Sequence, residues 1–216
     1  MAKTGRPRRF DRDEAVRQAM YLFWQYGYES TSLALLKAHL GNGITAPSFY
    51  AAFGSKEALF EEVVACYSST YGQVNDCLWD DSLNPREAIE LALRRSAKMQ
   101  TEQGHPSGCL IALSVNTCSP GHEHIRQILE ARRARTREGF LKCVLRAIAS
   151  GELAADTDAR ALARYLHSFE IGLSTEARDG ATGEELNASV SFAMKAWDAQ
   201  RLLSVTDSQH HADEPF

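Results

Sequence analysis

The sequence predicts an all-α protein: an N-terminal three-helix helix-turn-helix segment followed by a larger C-terminal helical domain, about nine helices together. Three observations predict this. Apolar residues recur at intervals of three and four along most of the 216-residue chain. No segment alternates apolar and polar residues as a half-buried strand would. Breaks rich in glycine, proline or serine separate the helical stripes.

The opening residues are basic, with Lys3, Arg6, Arg8, Arg9 and Arg12 close together. Gly5 and Pro7 discourage helix there, so Arg6 and Arg8 can present guanidinium forks to phosphates or a narrow minor groove. The plainer reading is a solvated tail. From Asp11 to Gly27, Ala15, Val16, Ala19, Met20, Phe23 and Tyr26 form one stripe, with Gly27 as the stop. Thr31 to Lys56, TSLALLKAHLGNGITAPSFYAAFGSK, then reads as two short helices about a tight turn. Thr31 is the expected N-cap of the first, and Gly41 to Gly43 free the turn. Thr45 caps the second, Pro47 falls in its first turn, Phe49 and Phe53 point inward, and Ser48 and Tyr50 point outward.

The run YAAFGSKEALF, from Tyr50 to Phe60, resembles the TetR family of one-component bacterial transcriptional regulators. The resemblance implies a third helix that enters the major groove, with Tyr50 and Lys56 on phosphates. Candidate DNA contacts are therefore Arg6, Arg8, Thr31, Thr45, Pro47, Ser48, Phe49, Tyr50 and Lys56. The turn HLGNGI is about two residues longer than the family's usual one, within ordinary connection lengths. The expected domains are residues 1–56 for DNA binding, 57–203 for effector binding and dimerisation, and a disordered tail at 204–216.

Beyond Ser55, an N-cap, Leu59, Phe60, Val63, Val64, Tyr67 and Tyr71 form a fourth stripe that joins the two domains. Periodicity fades between Gly72 and Pro85, which reads as a connection, and Pro85 suits a helix start. Stripes resume at Ala88, Ile89, Ala92, Ser96 and Met99, then at Ile125, Ile128, Leu129, Phe140, Val144, Leu145 and Ile148. Two more follow, Leu162, Tyr165, Leu166, Phe169 and Leu173, then Leu186, Val190, Ala193, Met194 and Trp197. The resemblance makes these last two candidates for a four-helix interface between subunits.

The chain carries a net charge of −4, yet residues 1–60 hold eight Lys/Arg against five Asp/Glu, a net of +3 that leaves −7 for the rest. A locally basic surface is what a DNA polyanion requires. Apolar runs are too short to span a membrane, and the basic start lacks the apolar core of a signal peptide, so a cytoplasmic protein is expected. Five cysteines at irregular spacing indicate neither a disulfide framework nor a zinc finger, and no cofactor motif is present.

SGCLIALSVNTC, Ser107 to Cys118, sets Cys109 at the head of a short apolar helix, where helix N–H groups can stabilise a thiolate. It resembles a branch of TetR regulators with Gly-Cys-Leu at this place, some of which answer to electrophiles, oxidants or metal ions. Cys109 and Cys118 are thus candidate sensing residues, with small packing residues as the alternative. A Cys109–Cys118 disulfide is disfavoured along one helix, since nine residues rise about 13 Å against the roughly 4.4 to 6.8 Å that a bridge needs. A soft metal site with His122 and His124 is also disfavoured, because those residues open the next helix.

Arg132, Arg133, Arg135 and Arg137, interleaved with Glu130 and Glu138, read as a solvated face. Trp79, Met99, Phe140, Phe169 and Trp197 read as core or as lining of an effector pocket. The leading functional reading is a homodimeric repressor of a pseudo-palindromic, double-stranded operator, released by a small-molecule or electrophile effector. The rival is an all-α enzyme with Cys109 as nucleophile and His105, His122 or His167 as base, but it lacks a recognisable orienting group and oxyanion site.

Overall fold

A computed structural model describes residues 10–114 and 121–206, with side chains as far as Arg201. Among the described residues are nine α-helices: α1 (Arg12–Ser30), α2 (Leu33–His39), α3 (Ala46–Phe53), α4 (Lys56–Ser68), α5 (Pro85–Thr101), α6 (Leu110–Leu113), α7 (Glu123–Ala149), α8 (Ala159–Arg178) and α9 (Gly183–Thr206). Two 3-10 segments, Leu40–Asn42 and Tyr71–Trp79, complete them, and no strand occurs among these residues. The all-α class and the helix-turn-helix start agree with the sequence reading.

Asp11 caps α1 by accepting from the Glu14 amide at 3.0 Å, and Ala15, Val16, Ala19, Met20 and Phe23 are buried as the stripe predicts. Gly27 is a kink within the helix, not its end, with φ +78° and ψ 167°. Beyond the kink Tyr28 is buried, whereas Tyr26, just before it, is 54% exposed. Thr31 is not the cap of α2. Ser32 holds that place and accepts from Leu35 N at 3.1 Å. Thr31 is instead fully buried, its hydroxyl directed to Gly27 O at 2.7 Å and Leu22 O at 3.3 Å. It thereby satisfies carbonyls at the kinked helix end.

The long turn is wound into a 3-10 turn. Gly41, Asn42 and Gly43 have φ of +59°, +66° and +99°, and Asn42 is the sole described non-glycine with positive φ. Ile44 N donates to Lys37 O at 2.8 Å and Gly41 N to Gln18 Oε1 at 2.9 Å, while Leu40 is anchored in the core. α3 opens at the Thr45 cap, with Pro47 in its first turn, and α4 at the Ser55 cap.

Leu59, Phe60, Val63, Val64 and Tyr67 of α4 pack on α1, with the Phe60 ring edge-on to Phe23 at 5.0 Å. This first core also takes in Leu110, Ile111, Ile125 and Leu129, so it continues past residue 56 into α6 and the start of α7. The expected connection after Gly72 is the 3-10 segment Tyr71–Trp79, which buries Cys77 and Leu78. Val74 and Cys77 follow the three-residue period of that helix, which a 3.6-residue stripe does not match. A second core joins α5, α7, α8 and α9 around Phe140, Leu166, Val190 and Trp197. Leu145, Tyr165 and Phe192 face outward, at 52%, 44% and 69% exposure, although the stripes put the first two inside. Helix α9 includes residues 204–206 of the expected tail; residues 207–216 lie outside the described residues.

Thr31→Val retains shape and removes the buried hydroxyl, so it should lower unfolding free energy by about 1 kcal/mol. Urea denaturation monitored by helicity measures this, and an unshifted midpoint would contradict a structural role for the hydroxyl.

Candidate DNA-facing surface and ligand cavity

Thr45, Pro47, Ser48 and Tyr50 are all exposed on α3, and Tyr50 retains 51% of its surface. The opposite face is apolar: Phe49 and Phe53 are buried 5.4 Å apart between centroids. Phe49, a candidate DNA contact, is therefore a core residue that sets the pitch of α3, and buried Thr31 has no surface to offer a ligand. Thr45 Oγ1 takes the Ser48 amide at 3.3 Å and lies 2.9 Å from Ser48 Oγ. Lys56 opens α4 half-buried, its Nζ 4.2 Å from the centroid of Tyr28. Desolvation lowers its pKa, against the pull of Glu29 and Glu57.

Arg6 and Arg8 lie outside the described residues. The chain beyond them is fixed at Phe10, whose ring meets Phe53 edge-on at 6.1 Å and lies against Gly41, where an added Cβ would be 3.0 Å from Phe10 Cδ2. Phe10, the first described residue, thus lies beside the helix-turn-helix turn. Arg12, grouped by sequence with Arg6 and Arg8, instead grips Glu62 through both terminal nitrogens at 2.7 and 2.5 Å and donates to Ala52 O at 3.2 Å.

A cavity of about 130 Å³ lies among α4, α5, α6, α7 and α8. Met99, Ile111 and Trp79 give it apolar walls, and Cys109 with Tyr67 lines one side. Gln100, Glu170 and Ser174 face it although buried. Gln100 Nε2 donates to Ser96 Oγ at 2.7 Å, and Ser96 and Asn75 both bond to the Glu170 carboxyl. Burial outweighs those bonds and pushes Glu170 up to about 7. His167, one turn earlier, is pushed down to about 4 by burial and by Arg137, Arg133 and Arg164.

The Cys109 thiol does not have the thiolate-favouring environment expected from its place before a helix. Burial raises its pKa, outweighing the hydrogen bond from Tyr67 Oη at 3.1 Å, and α6 is a single turn with little dipole to add. Cys118 lies outside the described residues. His122 Nδ1 pairs with Glu29 at 2.7 Å and His124 Nε2 with Glu61 at 2.5 Å, so both join the start of α7 to the helix-turn-helix domain. Arg132, Arg133 and Arg135, read as a solvated face, line the cavity; Arg133 donates to Ile111 O at 3.3 Å and Arg135 stacks 4.6 Å from the Trp79 centroid. The polar cavity residues had a sequence signal: His167, Glu170 and Ser174 occupy i, i+3 and i+7 on the inward face that carries Leu166 and Leu173.

The cavity is wired to α1 and α4. Trp24 Nε1 donates to Gly108 O at 3.1 Å, next to the Tyr67–Cys109 bond, and Arg178 returns to Trp24 O at 2.9 Å. His105 stacks on Trp24 at 4.7 Å with its Nδ1 beside Pro106 O at 3.0 Å.

Comparison with known proteins matches this architecture from both ends. Residues 15–63 match the model of bacterial regulatory proteins of the tetR family, and residues 86–190 match a tetracyclin repressor-like C-terminal domain. The transcriptional repressor ComR of Escherichia coli K12 is 33% identical over 195 residues, 89% of this chain and 91% of that protein. The repressor BdcR of the same strain is 31% identical over 201 residues, again 89% and 91% of the two chains. Among solved structures, a cysteine mutant of the TetR-family regulator CifR, complexed with 26-bp operator DNA, is 42% identical with a TM-score of 0.79, over 89% of this chain and all of that one. No helix among the described residues is long and apolar enough to cross a membrane. The chain belongs to the TetR family of bacterial transcriptional regulators.

Proposed function

We propose that the chain is a cytoplasmic, homodimeric repressor that binds a pseudo-palindromic operator and releases it when the cavity is occupied. The observation that carries the DNA reading is the division of α3, whose polar residues Thr45, Ser48 and Tyr50 are exposed opposite buried Phe49 and Phe53. The operator complex of CifR supports it, as that protein shares 42% of its residues with this chain. In this reading Thr45, Pro47 and Ser48 approach base edges, Tyr50 and Lys56 hold phosphates, and Arg6 and Arg8 reach the flanking minor groove. Residues 1–56 carry the DNA contacts, and residues 57–203 bind effector and form the dimer. Exposed Tyr165 on α8 and Phe192 on α9 supply apolar surface for a second copy.

Release follows from the wiring. A ligand against Tyr67 and Cys109 presses on the C-terminal part of α4, whose other end carries Lys56 behind α3. In a two-fold dimer a small rotation of α4 changes the spacing of both recognition helices, to which operator affinity is sensitive. The enzyme alternative finds less support, because Tyr67 donates to the Cys109 thiol, His105 stacks on Trp24, His122 pairs with Glu29, and His167, though it lines the same cavity, makes no Nε2 hydrogen bond to that thiol.

Selection from random duplexes gives the operator, and titration against salt then tests the contacts. Lys56→Ala and Tyr50→Phe should weaken binding uniformly across sequences, and Lys56→Ala should reduce the salt slope by about 0.9 per subunit. Thr45 and Ser48 substitutions should instead change base preference. Wild-type affinity and slope in Lys56→Ala would refute the docking. Deletion of residues 1–9 should lower affinity and flatten the salt dependence while dimerisation persists, and equal affinity at every salt concentration would refute the arm's role.

A thiol route to release is slow at neutral pH in this reading. The thiolate fraction of Cys109 should rise only above the roughly 8.5 of an ordinary thiol. Alkylation rates followed by peptide mapping across pH check this, and a midpoint below 8 in the same units would contradict the burial argument.

A further inference from the structure

We infer that the cavity takes a small neutral polyhydroxylated molecule, one with at least two hydroxyl donors. This rests on the ligand-responsive reading above and adds the class of ligand.

The hydrogen-bond inventory points there. Gln100 uses its amide N–H on Ser96, and Asn75 bonds to Glu170, as does Ser96. The groups left over are Gln100 Oε1 and Asn75 Oδ1, both buried without a partner among the described residues and both on residues lining the cavity. An amide oxygen only accepts, so a ligand that satisfies these two must bring donors. Ser174 Oγ and His167 Nε2 are likewise buried, unpartnered and on lining residues. A hydroxyl suits all four, since it donates to one neighbour and accepts from another.

Charge narrows the class. The lining carries Arg132, Arg133 and Arg135 together with Asp76 and Glu170, so opposite charges largely offset and an ion of either sign would also meet like charge. A neutral molecule meets neither obstacle. Its carbon skeleton has Met99, Ile111 and Trp79 to lie against. The cavity volume of about 130 Å³ is many times the roughly 10–15 Å³ that admits one water.

Full-length protein is titrated by calorimetry with 1,2-cyclohexanediol, cyclohexanol and cyclohexanone, similar in size and carrying two, one and no hydroxyl donors. The diol should bind tightest and the ketone weakest, with about tenfold per donor. Gln100→Met and Ser174→Ala should each lower diol affinity about tenfold and leave the ketone unchanged. Ser174→Ala removes an oxygen with no partner among the described residues, so its fold should persist even if Gln100→Met disturbs α5. Equal affinity for the three probes, a diol affinity unchanged in Ser174→Ala, or no binding by any probe would overturn the inference. Operator affinity measured with and without bound diol separates the two readings. A diol that binds with the expected preference yet leaves operator affinity unchanged would uphold the ligand class and overturn effector-driven release.

Discussion

Gly108 and Cys109 are held by two aromatic side chains of the helices beneath the recognition helix. Trp24 of α1 donates to the Gly108 carbonyl and Tyr67 of α4 to the Cys109 sulfur. Gly108 fits because it lacks a side chain: its φ is +78°, and a Cβ would lie 2.6 Å from Leu113 Cδ1 and 2.8 Å from Ser174 O. One dipeptide therefore touches α1, α4, α6 and α8. A rigid junction of this kind passes displacement between elements, because a close-packed contact rearranges instead of compressing. The identity of residue 108 is fixed by this crowding and that of 109 by what faces the cavity.

The polar side of the cavity is unfavourable for folding considered alone. Glu170 is a buried carboxyl held by neutral donors, and Gln100, Asn75, His167 and Ser174 each keep a buried polar atom that no group among the described residues meets. Groups of this kind cost roughly 1–3 kcal/mol each when left unsatisfied, whereas leucine or alanine in their place would cost nothing of the sort. Four of the seven unpartnered buried side-chain atoms among the described residues belong to residues lining this one cavity, the pattern of a binding site and not of a scaffold. The same low-dielectric surroundings keep His167 neutral and the Cys109 thiol protonated.

Sequence periodicity carried the helix-turn-helix domain well, because there the apolar stripe and the caps agree. Phe49 and Phe53 face inward, Thr45 caps α3 and Pro85 opens α5 where pattern and capping chemistry put them. It failed where the backbone changed period. The break at Gly27 brings Tyr28 inward where the stripe put Tyr26, and the 3-10 segment Tyr71–Trp79 hid its buried residues from a 3.6-residue reading. The cavity was the least legible feature. Its polar residues come from Asn75, Gln100 and the 167–174 stretch, each a polar interruption in an otherwise apolar face, and only the fold assembles them. Arg12 and Cys109 were misread for one reason: formal charge and helix position say nothing of the partner or burial that tertiary structure provides.

The helix-turn-helix domain is joined to the regulatory body by a shared core and by polar ties that all converge on α1 and α4. His122 and His124 at the start of α7 meet Glu29 and Glu61, Arg178 at the end of α8 caps carbonyls of Trp24 and Gln25, and Tyr21 meets Tyr71. Helix α3, by contrast, is held chiefly through Phe49, Phe53 and the Phe10 ring. The regulatory body thus has its grip on the two supporting helices and reaches α3 through them. Movement of α1 and α4 carries the recognition helix as a unit, since its own packing against them is apolar and close. In the proposed repressor, a change in the cavity would accordingly alter the position of α3 more readily than its shape, and position is the variable that a two-fold pair of half-sites reads.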